Sequence, residues 1–177
     1  MTEKNDTSML TEKYIFRNIR QEEIAQTSEI EKICFPPNEA CSYEHMEDRV
    51  KKAPELFLVA EDRATGKIAG FLNGLATDRE HLTDDFFTDA EMHDPKGKNI
   101  MLLGLDVLPK YQHQGLAREL VRCYKEREKV NGREKLILTC LPDKVEMYQK
   151  FGFKDHGIGG SVWGGEAWHE MSVELWG

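Results

Sequence analysis

At 177 residues, with no linker-like shift in composition, the chain fits one compact domain with a sizeable core, and a second independent domain would be cramped. A net charge of -8 and the lack of a long basic run argue against a protein that coats nucleic acid or anionic membrane, while an acidic surface suits a cationic substrate. The four cysteines, Cys34, Cys41, Cys123 and Cys140, form no C-x-x-C pair, so no metal site or disulfide framework is expected and reduced thiols in a cytoplasm fit best.

The opening "MTEKNDTSML" is polar and lacks the apolar core of a signal peptide, and residues 1–12 read as a disordered tail before a single domain over 13–177. No apolar run approaches the length of a bilayer span. "YIFRNIR" alternates as a strand, and "EEIAQTSEIEKICF" spaces Ile30, Ile33 and Cys34 as one face of a helix that stops at Pro36-Pro37. Ser42 caps a second short helix with Met46, Arg49 and Val50 at helical spacing. "LFLVAEDRATGKIAGFLNGLA" predicts a hairpin about "RATGK", and residues 78–99 read as an irregular polar excursion.

"IMLLGLDVL" then predicts a buried strand, and a helix from Gly115 to about Val130 carries Leu116, Leu120, Val121 and Tyr124 inward. "KLILTC" is a further buried strand, "DKVEMYQKF" a short helix ended by Gly152, and "FKDHGIG" and "WHEMSVEL" the terminal strands. Strands flank helices in both halves, so the class is mixed α/β with a partly antiparallel sheet.

Gln112-x-x-Gly115-x-Ala117 puts the chain's small side chains where a strand turns into a helix. Either close packing or a bulky anion on the first helical turn explains them. The order "LGLDVLPKYQHQGLARELV", "LILTC", "MYQKFGF" resembles the acyl-CoA-binding core of the GNAT N-acetyltransferase superfamily over about residues 100–153. "CFPPNEACSYE" and "MHDPKGKNIMLLGLDV" are similar to the matching segments of arylalkylamine N-acetyltransferases.

The resemblance implies a twisted mixed sheet of about seven strands flanked by helices, splayed between its fourth and fifth strands to admit acetyl-CoA. It implies that the pyrophosphate of CoA sits on the backbone from Gln112 through His113, Gln114, Gly115, Leu116 and Ala117 to Arg118, at the positive end of a helix. Leu105, Asp106 and Val107 lie on the strand whose edge pairs with pantetheine, Leu105 and Val107 supplying the backbone contact and a bulge near Leu105 the oxyanion amide. Tyr148 matches the tyrosine that faces the CoA sulfur and donates to the thiolate; its other reading is an aromatic packing the short helix onto the sheet.

The histidine pair that vertebrate arylalkylamine enzymes carry on the fourth strand is replaced by Met101 and Leu103. By the resemblance to family members with a glutamate in the segment aligned with "PPNEA", Glu39 is the candidate base acting through water, or else a solvated loop carboxylate. Asp106 is an alternative carboxylate, either buried with a partner or turned to solvent by alternation. His113 is read as exposed, and His93 and His156 as surface residues in polar loops.

The resemblance also implies Phe35, Pro36 and Pro37 on one side of the acceptor pocket and Trp163 and Trp168 on the other, where the tryptophans either wall the pocket or fill the core. The expected activity is acetyl-CoA-dependent N-acetylation of a small primary amine, of arylalkylamine or polyamine type, by direct attack in a ternary complex. The alternative is a catalytically weak acyl-CoA-binding sensor of the same fold. Neither nucleic acid nor membrane is an expected partner, and the chain is a monomer or homodimer.

Overall fold

The computed structural model describes residues 9–176. Its elements are β1 (Tyr14–Asn18), α1 (Ile24–Cys34), α2 (Tyr43–Lys52), β2 (Phe57–Asp62), β3 (Ile68–Thr77), α3 (Asp85–Thr88), β4 (Asn99–Val107), α4 (Leu116–Val130), β5 (Lys135–Cys140), α5 (Val145–Lys150), β6 (Lys154–Ile158) and β7 (His169–Glu174). The strands form one seven-stranded sheet in the order β1-β2-β3-β4-β5-β7-β6. Every pairing is antiparallel except β4 with β5.

Both faces of the sheet are covered, which explains why β3 is buried at every position and why its sequence is apolar but for Asn73 and Thr77. On β2 the pleat sends Phe57 and Val59 to the side of α1 and α2, and Leu58 and Ala60 to the side of α4. Ser42 caps α2 by accepting from the His45 amide at 3.2 Å, a bond that stabilises a helix start by about 1 kcal/mol. Met46, Arg49 and Val50 all face inward from α2, as their spacing requires.

Three expectations need correction. Residues 1–8 of the expected tail lie outside the described residues, but residues 9–13 are helical, because Leu10 buries itself in the core beside the start of α4. Ile33 is 57% exposed, since the inner stripe of α1 runs through Ile24, Thr27, Ile30 and Glu31 instead. The His93 side chain is buried, accepting from the Ala76 amide at Nδ1 (3.0 Å) and meeting Glu55 at Nε2 (2.8 Å), so it ties the polar excursion onto β3.

Candidate active site at the strand splay

The parallel pairing of β4 with β5 covers only Asn99–Met101 against Lys135–Ile137. Beyond it β4 stays with β3 as far as Val107, and β5 stays with β7 as far as Cys140, so the facing edges separate. A cavity of about 970 Å³ opens in the gap, with Leu102 to Leu105 on one wall and Leu138 to Leu141 on the other. Such an edge leaves strand N–H and C=O groups for an extended ligand. The Val107 carbonyl is already engaged, accepting from Gln112 Nε2 at 3.0 Å and from the Cys34 thiol at 3.4 Å.

The register of β4 against β3 is irregular near Leu105. Asn73 opposes Gly104 while Gly74 opposes Leu102, so the extra residue is Leu103, two positions before Leu105.

At the end of this strand the chain turns into α4. Gly115, the residue before its first turn, has φ +83°, and His113 has φ +61°. A Cβ on Gly115 would meet nothing closer than Leu10 Cδ1 at 3.9 Å. Crowding therefore does not require glycine there; the left-handed backbone does.

No side chain caps α4, so its first-turn amides point out at the loop, a favourable place for an anion. The Leu116 side chain is in the core and Gln114 is turned toward β1, where Lys13 Nζ (2.8 Å) and Tyr14 Oη (3.1 Å) donate to it. A second cavity, of about 770 Å³, lies against this helix start and gathers Lys13, Arg118, Arg122, Lys125 and Lys150. Glu119 shares this lining and pairs with Arg122.

Tyr148, on α5, lines the main cavity and packs edge-on against Phe151 and Phe153. Its hydroxyl has no hydrogen-bond partner among the described residues, and burial, with Cys140 and Asp106 nearby, raises its pKa so that it keeps its proton. Both sequence readings of Tyr148 are compatible with this placement, because it packs and also faces the gap.

The roof of the cavity joins two distant loops. Trp163 Nε1 donates to the Glu39 carbonyl at 2.9 Å, Trp168 Nε1 to the Trp163 carbonyl at 2.7 Å, and Asn38 Nδ2 to the Gly164 carbonyl at 3.1 Å. Gly164 has φ +65°, and a Cβ on it would lie 2.5 Å from the Asn38 carbonyl oxygen, so only glycine permits this approach. Trp163 stacks on Phe87, centroids 5.0 Å apart.

Phe35, Pro36, Trp163 and Trp168 thus meet at one cavity, while Pro37 is exposed outside it. Glu39 lines the same cavity, and desolvation, followed by the charges of Glu166 and Asp143, raises its pKa.

The sequence matches the model of the Acetyltransferase (GNAT) family over residues 24–153. The chain belongs to that family. It is 27% identical over 158 residues to the probable hydrolase YhcX of Bacillus subtilis, a match that covers 85% of this chain but only 30% of that protein's length.

Solved structures with the same fold include the loading GNATL domain of CurA from Lyngbya majuscula (TM-score 0.76, 18% identity, 92% of this chain and 98% of that one). Another is the GphF GNAT-like decarboxylase in complex with isobutyryl-CoA (TM-score 0.75, 18% identity, 91% and 99%). A third is YncA of Salmonella typhimurium, a putative acetyltransferase with its cofactor acetyl-CoA (TM-score 0.63, 15% identity, 92% and 94%). At these identities the likeness is one of fold, and the acceptor has to be read from the site.

Within this GNAT fold, the floor of the cavity is the part that sequence reasoning missed. Asp106 is fully buried and does not line the cavity; its carboxyl turns from the ligand side toward Glu31 of α1, so it offers CoA only its backbone. Burial, then the Glu31 charge, pushes its pKa well above the usual carboxylate range.

Glu31 and Arg49 do line the cavity, and Asn73 joins them by donating to the Gly104 carbonyl at 3.3 Å. The available signal was charge on a core-facing helical stripe: Glu31 follows Ile30 on α1, and Arg49 sits between Met46 and Val50 on α2. Among the described residues no group of three or more His, Cys, Asp or Glu side chains is arranged to hold a metal, and no helix is long and apolar enough to cross a membrane.

Proposed function

We propose that the protein transfers an acetyl group from acetyl-CoA to the primary amine of a small acceptor by direct attack in a ternary complex. The observation that carries this reading is the end of the β4–β5 ladder at Met101 and Ile137, where the strand edge, the start of α4 and Tyr148 border one cavity. The site fits a CoA thioester on its own features: an open strand edge for amide groups, an uncapped helix start at a left-handed glycine, and clustered cations beside it.

When bound, acetyl-CoA supplies the activated acyl group. Residues from Gln112 to Arg118 hold the phosphates, with Gly115 setting the loop's backbone, and Leu105 and Val107 present the strand edge. A backbone N–H near Leu105 donates to the carbonyl oxygen under attack.

Tyr148 Oη holds a proton at neutral pH and delivers it to the departing sulfur. Glu39, whose raised pKa makes it a better base than an ordinary glutamate, takes the proton released by the amine, through water. Phe35, Pro36, Trp163 and Trp168 shape the acceptor side. The setting proposed is the cytoplasm, in keeping with four unpaired cysteines.

The test is to offer a panel of primary amines with acetyl-CoA and follow free thiol, with mass analysis of the amine product. Amine-dependent thiol release supports the transferase. Tight CoA binding with no turnover on any amine would favour the sensor reading, which the lack of a histidine pair at Met101 and Leu103 keeps in play.

A further inference from the structure

Arg49 is 3% exposed and forms part of the cavity floor. A guanidinium presents five N–H donors and a charge it does not lose. Two protein acceptors engage it: Asn73 Oδ1, at a long 3.4 Å from one terminal nitrogen, and the Phe87 carbonyl, at 2.9 Å from the other. Its Nε is buried and meets no acceptor.

Glu31, a buried carboxylate on the same cavity, is committed elsewhere: it accepts the Cys41 amide at 3.0 Å and lies beside Asp106. None of the ion pairs within 4.0 Å among the described residues includes Arg49. A buried cation without a counter-ion is costly, and one on a cavity wall is relieved by an anion that enters the cavity.

Its position narrows what that anion belongs to. Through Asn73, Arg49 is tied to Gly104, beside the bulge where the strands begin to part. Through Phe87 it is tied to the ring that stacks on Trp163. A charge on the floor, an aromatic wall and the splay therefore adjoin.

We propose that Arg49 binds a carboxylate on the acceptor, so that the amine acetylated at this site is an aromatic amino acid rather than a bare arylalkylamine. A carboxylate meets the planar guanidinium through charge-assisted hydrogen bonds, and the aromatic side chain lies against Phe87 and Trp163. This rests on the acetyl-transfer reading above and specifies its substrate class.

The experiment compares phenylalanine, tyrosine and tryptophan with phenethylamine, tyramine and tryptamine, which differ only by the carboxylate. Thiol release is measured for each, and calorimetry follows phenylalanine and phenethylamine binding to the CoA complex. Wild type should favour each amino acid at least about tenfold in kcat/KM. Arg49→Gln should lower kcat/KM for the amino acids on the order of 10²-fold while leaving the decarboxylated amines within a few-fold. Arg49→Lys, which keeps the charge but not the fork, should fall between.

A wild-type preference for the decarboxylated amines, or an Arg49→Gln loss shared equally by both series, overturns the proposal. If Arg49→Gln melts at the assay temperature, the wild-type comparison decides alone. If no amine releases thiol, the acetyl-transfer reading falls by itself, and the calorimetric preference still reports whether the floor holds a carboxylate.

Discussion

The carboxyl of Asp106 on β4 faces that of Glu31 on α1, next to Gly104. A Cβ on Gly104 would lie 3.2 Å from Asp106 Oδ1 and 3.7 Å from Glu31 Oε1. Burial, then the nearby Glu31 charge, pushes the Asp106 pKa well above the usual carboxylate range. Glu31 Oε2 accepts the Cys41 amide, and both Asp106 carboxyl oxygens are buried with no hydrogen-bond partner among the described residues.

Stability should therefore depend on pH through this pair. Because the folded-state pKa of Asp106 lies above its unfolded value, the folded protein binds the extra proton, and stability falls as pH rises from the ordinary aspartate range toward the raised pKa. Asp106→Asn keeps the size of the side chain and removes the titration. Its melting temperature should gain on wild type as pH is raised from about 4 to 8. A difference in melting temperature that does not change with pH would show that Asp106 is not held protonated.

Tyr148→Phe leaves the ring to pack on Phe151 and Phe153 and removes only the proton. We expect kcat to fall on the order of 10²-fold, with acetyl-CoA affinity nearly unchanged. Thioesters whose thiols leave more readily should lose less. Unchanged turnover under conditions where chemistry limits the rate would return Tyr148 to a packing role.

Gly115 calls for a paired test, because any side chain at φ +83° strains the backbone by roughly 1–2 kcal/mol. Gly115→Ala and Gly115→Glu share that strain, and the space around the position admits a Cβ. Only the glutamate adds a negative charge at the helix start. Calorimetric affinity for acetyl-CoA should drop about tenfold or more further in Gly115→Glu than in Gly115→Ala. Equal losses would mean that the loop does not hold phosphate.

The elements themselves were legible in the sequence because each has a period or a stop: the alternation of "YIFRNIR", the Ser42 cap, the "RATGK" turn, the glycine that ends α5. What local pattern cannot express is which loops meet. Trp163 and Glu39 are far apart in the chain and joined by one hydrogen bond, and a family resemblance, not periodicity, brought their loops together in advance.

Gly115 looked like a residue kept small by its surroundings, whereas the determining property is its backbone angle. Asp106, one residue in an apolar strand, had two possible faces, and the choice depended on Glu31 lying across from it. Arg49 went unassigned because a charged residue on a buried stripe has meaning only once the cavity beside it is known.

The proton acceptor is the role on which the mechanism most depends. An alkylamine is almost wholly protonated at neutral pH and has no lone pair for attack, so a base is needed before or during transfer. Asp106 is unsuited, since its carboxyl is fully buried and does not line the cavity. Glu39 lines the cavity under Trp163, and the same neighbours that raise its pKa, Glu166 and Asp143, make the mouth of the site attractive to a cation.

Glu39→Gln keeps the shape and removes the basicity. The ratio of wild-type to mutant kcat/KM should be largest above the raised Glu39 pKa and well below the amine pKa, where Glu39 is ionised and free amine is scarce. Below the Glu39 pKa the ratio should shrink because wild type loses its base as well, and near the amine pKa it should shrink because free amine no longer needs one. A ratio that stays near one from pH 5 to 10 would make Glu39 a loop carboxylate and leave proton acceptance to water.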